Sequence, residues 1–151
     1  MAVIGAGACF PQEAAAAERI GELLARAGAV LVCGGLSGVM EAACRGARRE
    51  GGMTVGVLPG TDRAAANPYV SVAIATGLGE LRNGVVVRAS DAVIAVGGEF
   101  GTLSEIGFAL KLGKRVVGLG TWELPRRPDA IVRASSADEA VRLALSDREG
   151  E

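Results

Sequence analysis

Six short apolar runs restrict most sharply what this chain can fold into: "AVIGAGA" at 2–8, "AVLVCGG" at 29–35, "MTVGVLPG" at 53–60, "VSVAIATG" at 70–77, "DAVIAVGG" at 91–98 and "RVVGLG" at 115–120. They are near-continuous and rich in Val and Ile rather than alternating, the pattern of strands buried on both faces. Between most of them lie amphipathic stretches of helical length, at 13–27, 38–50, 79–89 and 101–113, with a last one near 136–147. Strand alternating with helix implies α/β architecture: a single Rossmann-like three-layer domain, with a mainly parallel sheet and helices on both faces.

The segments "TDRAAANPYV" and "TWELPRRPDA" carry prolines and charges and read as loops. In open parallel sheets the ligand crevice lies at the carboxyl ends of the strands. Four of the runs end there in glycine, as "VCGG", "VLPG", "IATG" and "AVGG", so that edge is expected to be the functional surface.

Composition then removes chemistry. With no histidine among 151 residues there is no Ser-His-Asp triad, no Cys-His pair and no histidine-rich zinc site, and no metal site is expected. A formal charge of −1 argues against a general nucleic-acid binder, and Arg45, Arg48 and Arg49 read as the solvated face of a helix. The three cysteines, Cys9, Cys33 and Cys44, are odd in number and lack CxxC spacing, which suits buried reduced thiols and a cytoplasmic protein. The opening "MAVIGAGACF" has no basic n-region and no window of about 18 apolar residues occurs, so neither secretion nor a membrane partner is expected.

Three glycine turns compete as ligand cradles. In "VIGAGACFPQE", Phe10 stands where GxGxxG needs its third glycine, so the dinucleotide fingerprint is incomplete, although the loop could line a smaller pocket. In "CGGLSGVME", Gly34 and Gly35 precede Ser37, which is placed to cap the next helix, while the glycines would let backbone N–H groups approach an anion. In "VGGEFGTLSE", Thr102 and Glu105 fit the S/T-x-x-E capping box. The same formula recurs at Ser136–Glu139, but only the first follows a Gly-Gly strand end, where a phosphate would meet the Gly97, Gly98, Glu99, Phe100, Gly101 and Thr102 turn. Arg82 sits on the helix preceding that strand, which begins near the same edge, and could grip that phosphate.

The stretch "LRNGVVVRASDAVIAVGGEFGTLSE" resembles the signature of the LONELY GUY family, long mislabelled lysine decarboxylases, in which an Arg, a strand beginning Asp-Ala and a PGGxGTxxE motif follow at this spacing. "GELLARAGAVLVCGGLSGVMEAACRGA" and "NPYVSVAIATGLGELRN" are more similar to its uncharacterised relatives, a branch that includes molybdenum-cofactor carrier-like proteins. The resemblance covers nearly the whole chain and implies one nucleotide-binding domain over 1–151. It implies catalytic roles for Arg82 and Glu105, and a 5'-phosphate held by Gly98, Gly101 and Thr102. Three positions depart from the motif: Gly97 replaces its Pro, Glu99 a Gly beside the phosphate turn, and Asn83 the Lys after the Arg. Glu99 adds a negative charge and Asn83 removes a positive one, both of which weaken the case for efficient hydrolysis. Lysine decarboxylation is excluded on chemical grounds as well, because Lys111 and Lys114, the only lysines, both lie at the far end of the motif helix from a Schiff-base position.

The expected function is binding of a phosphorylated, nucleotide-like ligand at the carboxyl edge, with hydrolysis of the N-glycosidic bond of a nucleoside 5'-monophosphate as the implied reaction. The alternative is a non-catalytic carrier or sensor of a phosphorylated cofactor such as molybdenum cofactor. No cofactor is required for the reaction; AMP-like nucleotides and molybdenum cofactor are the candidate ligands. The resemblance also implies a homodimer, for which Ile106 with Leu110, or Phe108 with Leu112, are the candidate contacts.

Overall fold

The computed structural model describes residues 1–146. Its elements run β1 (Ala2–Gly5), α1 (Pro11–Arg26), β2 (Leu31–Cys33), α2 (Val39–Arg49), β3 (Thr54–Leu58), β4 (Val72–Ala75), α3 (Arg82–Arg88), β5 (Ala92–Val96), α4 (Phe100–Lys111), β6 (Arg115–Leu119), β7 (Val132–Arg133) and α5 (Ala137–Leu145). Short 3-10 turns at Arg63–Ala65 and Gly79–Leu81 precede β4 and α3. Each apolar run became a strand and each amphipathic stretch a helix. The expected end of the last helix, residue 147, lies outside the described residues. β7 was not expected: two exposed residues after a proline-rich loop carry no periodicity to find.

All strand pairs are parallel, in the order β4-β3-β2-β1-β5-β6-β7. The chain winds outward from β1 to β4 and then returns to β5 on the other side of β1. The order therefore reverses between β1 and β5, and the crevice belongs at their carboxyl ends. The fold is α/β and Rossmann-like.

The strand residues split between two cores. Val3, Cys33, Ile94, Val96 and Val117 pack beneath α1, α2 and α5, with Ile20, Leu24, Val39 and Val141 from the helices. Ala2, Ile4, Val32, Val93 and Val116 face the other way, against Val86 and Val87 of α3 and Ile106 and Ala109 of α4. Burying one such Ile, Leu or Val contributes about 1.5–3 kcal/mol. This double burial explains why the strands read as continuous rather than alternating.

Ile106 is fully buried and Leu110 partly buried beneath this subunit's own sheet, which removes that pair from the candidate dimer contacts; Phe108 and Leu112 remain outward-facing, 44% and 38% exposed. The arginines of α2 lie on a solvated face as expected, with Arg45 and Arg49 both paired to Glu18. All three cysteines are free, Cys33 and Cys44 buried with sulfurs 3.5 Å apart, whereas Cys9 is only half-buried.

Candidate functional site

The site grows from the turn after β5. Gly97 and Gly98 take φ values of 54° and 109°, a left-handed course that L side chains rarely adopt, and this swings the chain from the strand end into α4. A Cβ at Gly98 would lie 2.5 Å from the Thr102 side chain, which is itself buried. Gly97 is pinned to β6: its N–H donates to the Leu119 carbonyl at 3.0 Å and its carbonyl accepts the Thr121 hydroxyl at 2.5 Å.

Glu99, not Thr102, is the N-cap of α4, and no side chain caps the helix. The expected capping box is therefore absent here: the glycine turn lets the helix start three residues early, so Thr102 is its third residue and Glu105 its sixth. Leu103 N–H closes the first turn on the Glu99 carbonyl at 3.0 Å, which leaves the amides of Phe100, Gly101 and Thr102 without intrahelical acceptors. The positive end of the helix dipole adds to them. Ser136 does cap α5, accepting the Glu139 N–H at 3.1 Å, so the repeated formula has two different outcomes.

Glu105 points into a cavity of about 270 Å³ at the carboxyl edge, lined by the β1–α1 turn (Gly5 to Ala8) and by Gly34, Met40, Arg82, Asn83, Glu99, Gly101 and Thr102. It is 6% exposed, and no hydrogen bond or ion pair joins its carboxyl to any described residue. Burial pushes its carboxyl up to about 8, and the Arg82 charge pulls it back only partly. Arg82, the first residue of α3, is itself held below the ordinary arginine range by burial, against the favourable charges of Glu105 and Cys33. Its guanidinium reaches Asn83 Oδ1 and, at 3.4 Å, the Gly34 carbonyl, while its Nε is buried with no partner. Gly34 makes room for it, since a Cβ there would lie 2.6 Å from the guanidinium. Asn83, in the place of the resembling motif's lysine, also donates to Ser104 Oγ at 3.3 Å.

A second compartment of about 570 Å³ adjoins the first, sharing Ala6, Ala8 and Glu99, and is lined further by Cys9, Phe10, Glu13, Gly97, Gly98, Gly120, Thr121 and Trp122. The Glu99 side chain is solvent-exposed on the border between the two. Phe100 is 76% exposed and rests on Trp122.

Arg82, Asn83, Gly34, Gly101, Thr102 and Glu105 thus meet in one cavity, with Gly97 and Gly98 on its neighbour. Gly35 and Ser37 line neither compartment. Gly35 turns inward at φ 76° and donates to Cys33 Sγ, and Ser37 donates its hydroxyl to the Gly7 carbonyl at 2.7 Å, tying the first two turns together. Ser37 is consequently not a helix cap; α2 is capped by Gly38 at φ 69°. Sequence reasoning missed Met40, Glu13, Thr121 and Trp122, which converge only through the sheet order. Among the described residues, no group of three or more Cys, Asp or Glu could hold a metal ion, and no helix is long and apolar enough to cross a membrane.

Residues 1–149 match the profile of the SLOG cluster4 family. The chain belongs to that family. This SLOG cluster4 protein is 43% identical to an uncharacterized protein of Archaeoglobus fulgidus, over 95% of its own length and 93% of the relative's. It is similar to the molybdenum cofactor binding protein of the phototrophic bacterium Rippkaea orientalis, with a TM-score of 0.89 and 37% identity, covering 94% of this chain and 92% of that one. The molybdenum cofactor carrier protein of Chlamydomonas reinhardtii superposes with a TM-score of 0.82 at 32% identity, with coverage of 94% and 92%.

Proposed function

We propose that this SLOG cluster4 protein is a carrier for a phosphorylated cofactor, with molybdenum cofactor as the leading cargo. The cargo's phosphoryl group would dock on the open amides at the start of α4, with Arg82 beside it. The observation that carries this reading is the uncapped α4 terminus facing a cavity that Arg82, whose Nε is buried with no partner, also lines. The likeness to molybdenum cofactor binding and carrier proteins supports the choice of cargo.

The cargo fits the donor set: glycine-lined amides and an arginine suit a phosphate, and the adjoining compartment gives room for a ring system. Glu105, pushed up to about 8, is mostly neutral near pH 7, so it does not repel an anionic cargo and can donate a hydrogen bond to it. The same neutrality disfavours the phosphoribohydrolase reading, because stabilising an oxocarbenium-like sugar requires the carboxylate. That second reading keeps one supporting observation, the meeting of Arg82 and Glu105 in a single cavity. We further read residues 1–151 as one ligand-binding domain, a homodimer of the cytoplasm, where free thiols are stable.

The test has two arms. Purified protein is mixed with molybdenum cofactor freshly released from a molybdoenzyme, passed through gel filtration, and the protein peak is assayed for pterin fluorescence after oxidation. In parallel it is incubated with AMP and free adenine is followed. Co-eluting pterin without adenine release is expected; adenine release at a catalytic rate would overturn the carrier reading.

A further inference from the structure

The second compartment has a chemistry of its own. Trp122 forms part of its wall and is held firmly: its indole N–H donates to the Glu99 carbonyl at 3.2 Å, and Phe100 braces it with ring centroids 5.6 Å apart. Phe10, 71% exposed, lines the same space from the start of α1. An anchored aromatic wall beside an open volume suits a flat ring.

Glu13 supplies the polar edge. Its Oε2 accepts the Phe10 N–H at 3.0 Å, while its Oε1 has no hydrogen-bond partner among the described residues. Gly97 creates the room for it: a Cβ at that position would lie 2.0 Å from Glu13 Oε1, and the φ of 54° is closed to proline, which is fixed near −65°. The replacement of the resembling motif's proline by Gly97 therefore has a structural counterpart. It admits a carboxylate to the ligand crevice.

We propose that this compartment is a subsite for a 2-amino-4-oxopyrimidine ring, as in guanine or a pterin, packed against Trp122 and held at its amino edge by Glu13. Such a ring presents an N–H and an adjacent amino group side by side, and a carboxylate accepts from both. Adenine presents an amino group beside a bare ring nitrogen, whose lone pair would face the carboxylate. A built acceptor site discriminates strongly against a partner lacking the donor. The inference rests on the phosphoryl docking proposed above, because the compartment borders the same glycine turn, so a phosphorylated ring compound can occupy both at once.

Trp122 is the chain's only tryptophan, so its emission reports on this subsite alone. GMP, AMP and ribose 5-phosphate are the probes, with affinities for all three measured by calorimetry and Trp122 quenching followed for the nucleotides. GMP is expected to quench Trp122 and to bind at least about tenfold more tightly than AMP, the value of one charge-assisted hydrogen bond. In Glu13→Gln the amide oxygen still accepts the Phe10 N–H, so the melting temperature should hold while the GMP preference falls to within about twofold. Equal wild-type affinities, or a preference that survives Glu13→Gln at an unchanged melting temperature, would overturn the subsite. If ribose 5-phosphate binds and GMP shows no preference, the subsite fails and the phosphoryl docking stands. Should none of the three bind, both fail.

Discussion

Glu105→Gln offers a measurement on the apo protein that no ligand assay can confound. Burial raises the Glu105 carboxyl from its ordinary 4.5 to about 8 in the folded chain, so the native state binds this proton more tightly than the unfolded state does. The contribution is fully present below about pH 4.5, falls as pH rises, and is gone above about pH 8. At about 1.4 kcal/mol per pH unit, the gap between 4.5 and about 8 sets an upper bound of about 5 kcal/mol on what ionising Glu105 costs the fold. The carboxyl opens on a cavity that water can enter, so about 2–3 kcal/mol is the expected size. Gln has nearly the same shape and never ionises. Thermal unfolding followed by circular dichroism between pH 5 and pH 9 should therefore show the variant within about 1 kcal/mol of wild type at the acid end. At pH 9 its melting temperature should be higher by about 4–12 °C, at about 2–4 °C per kcal/mol for a domain of this size. A melting-temperature difference that stays constant across that range would refute the reasoning, because it would mean that the carboxyl is not desolvated.

Removing the opposing charge with Arg82→Met should push the Glu105 carboxyl above about 8, read as a more alkaline midpoint in a carboxyl NMR titration. Gly98→Ala should destabilise the fold by about 1–3 kcal/mol from its φ alone, and more from the contact with Thr102, with phosphate affinity lost alongside; both are read by calorimetry. Light scattering at micromolar concentration should return a dimer mass that Phe108→Glu reduces to a monomer, since Phe108 is 44% exposed on the outer face of α4. A monomeric wild type would remove that assignment.

The sheet was legible because burial on both faces writes itself into the sequence: β5 is Ala92–Val96 with every residue buried, and no polar position interrupts it. β7 was not, since its two residues are exposed and pair with Val117 and Gly118 of β6, a partner some fifteen residues upstream. The same limit hid half of the ligand crevice. Glu13 reads as an ordinary acidic residue in the first turn of α1, and Trp122 as a loop aromatic. Only the return of the chain from β4 to β5 brings the start of α1 and the end of β6 to opposite sides of the Gly97–Gly98 turn.

Thr102–Glu105 and Ser136–Glu139 show where local formulae stop being informative. Both fit S/T-x-x-E, yet Ser136 caps α5 while Thr102 lies inside α4. What differs is the backbone upstream. Ser135 precedes the second formula, and Glu139 turns back to its N–H and hydroxyl at 2.7 and 2.6 Å, which satisfies the charge at the surface. Before the first formula, Gly97 and Gly98 take left-handed conformations that carry the chain round in two residues, so helical geometry begins at Phe100. That shift moves Glu105 nearly a full turn beyond any orphan amide it could cap and places it at the sheet edge, where burial raises its carboxyl and Arg82 is the compensating charge. A capping carboxylate is made more acidic by the groups that donate to it, as Glu139 is by Ser135, whereas burial pushes the Glu105 carboxyl the other way.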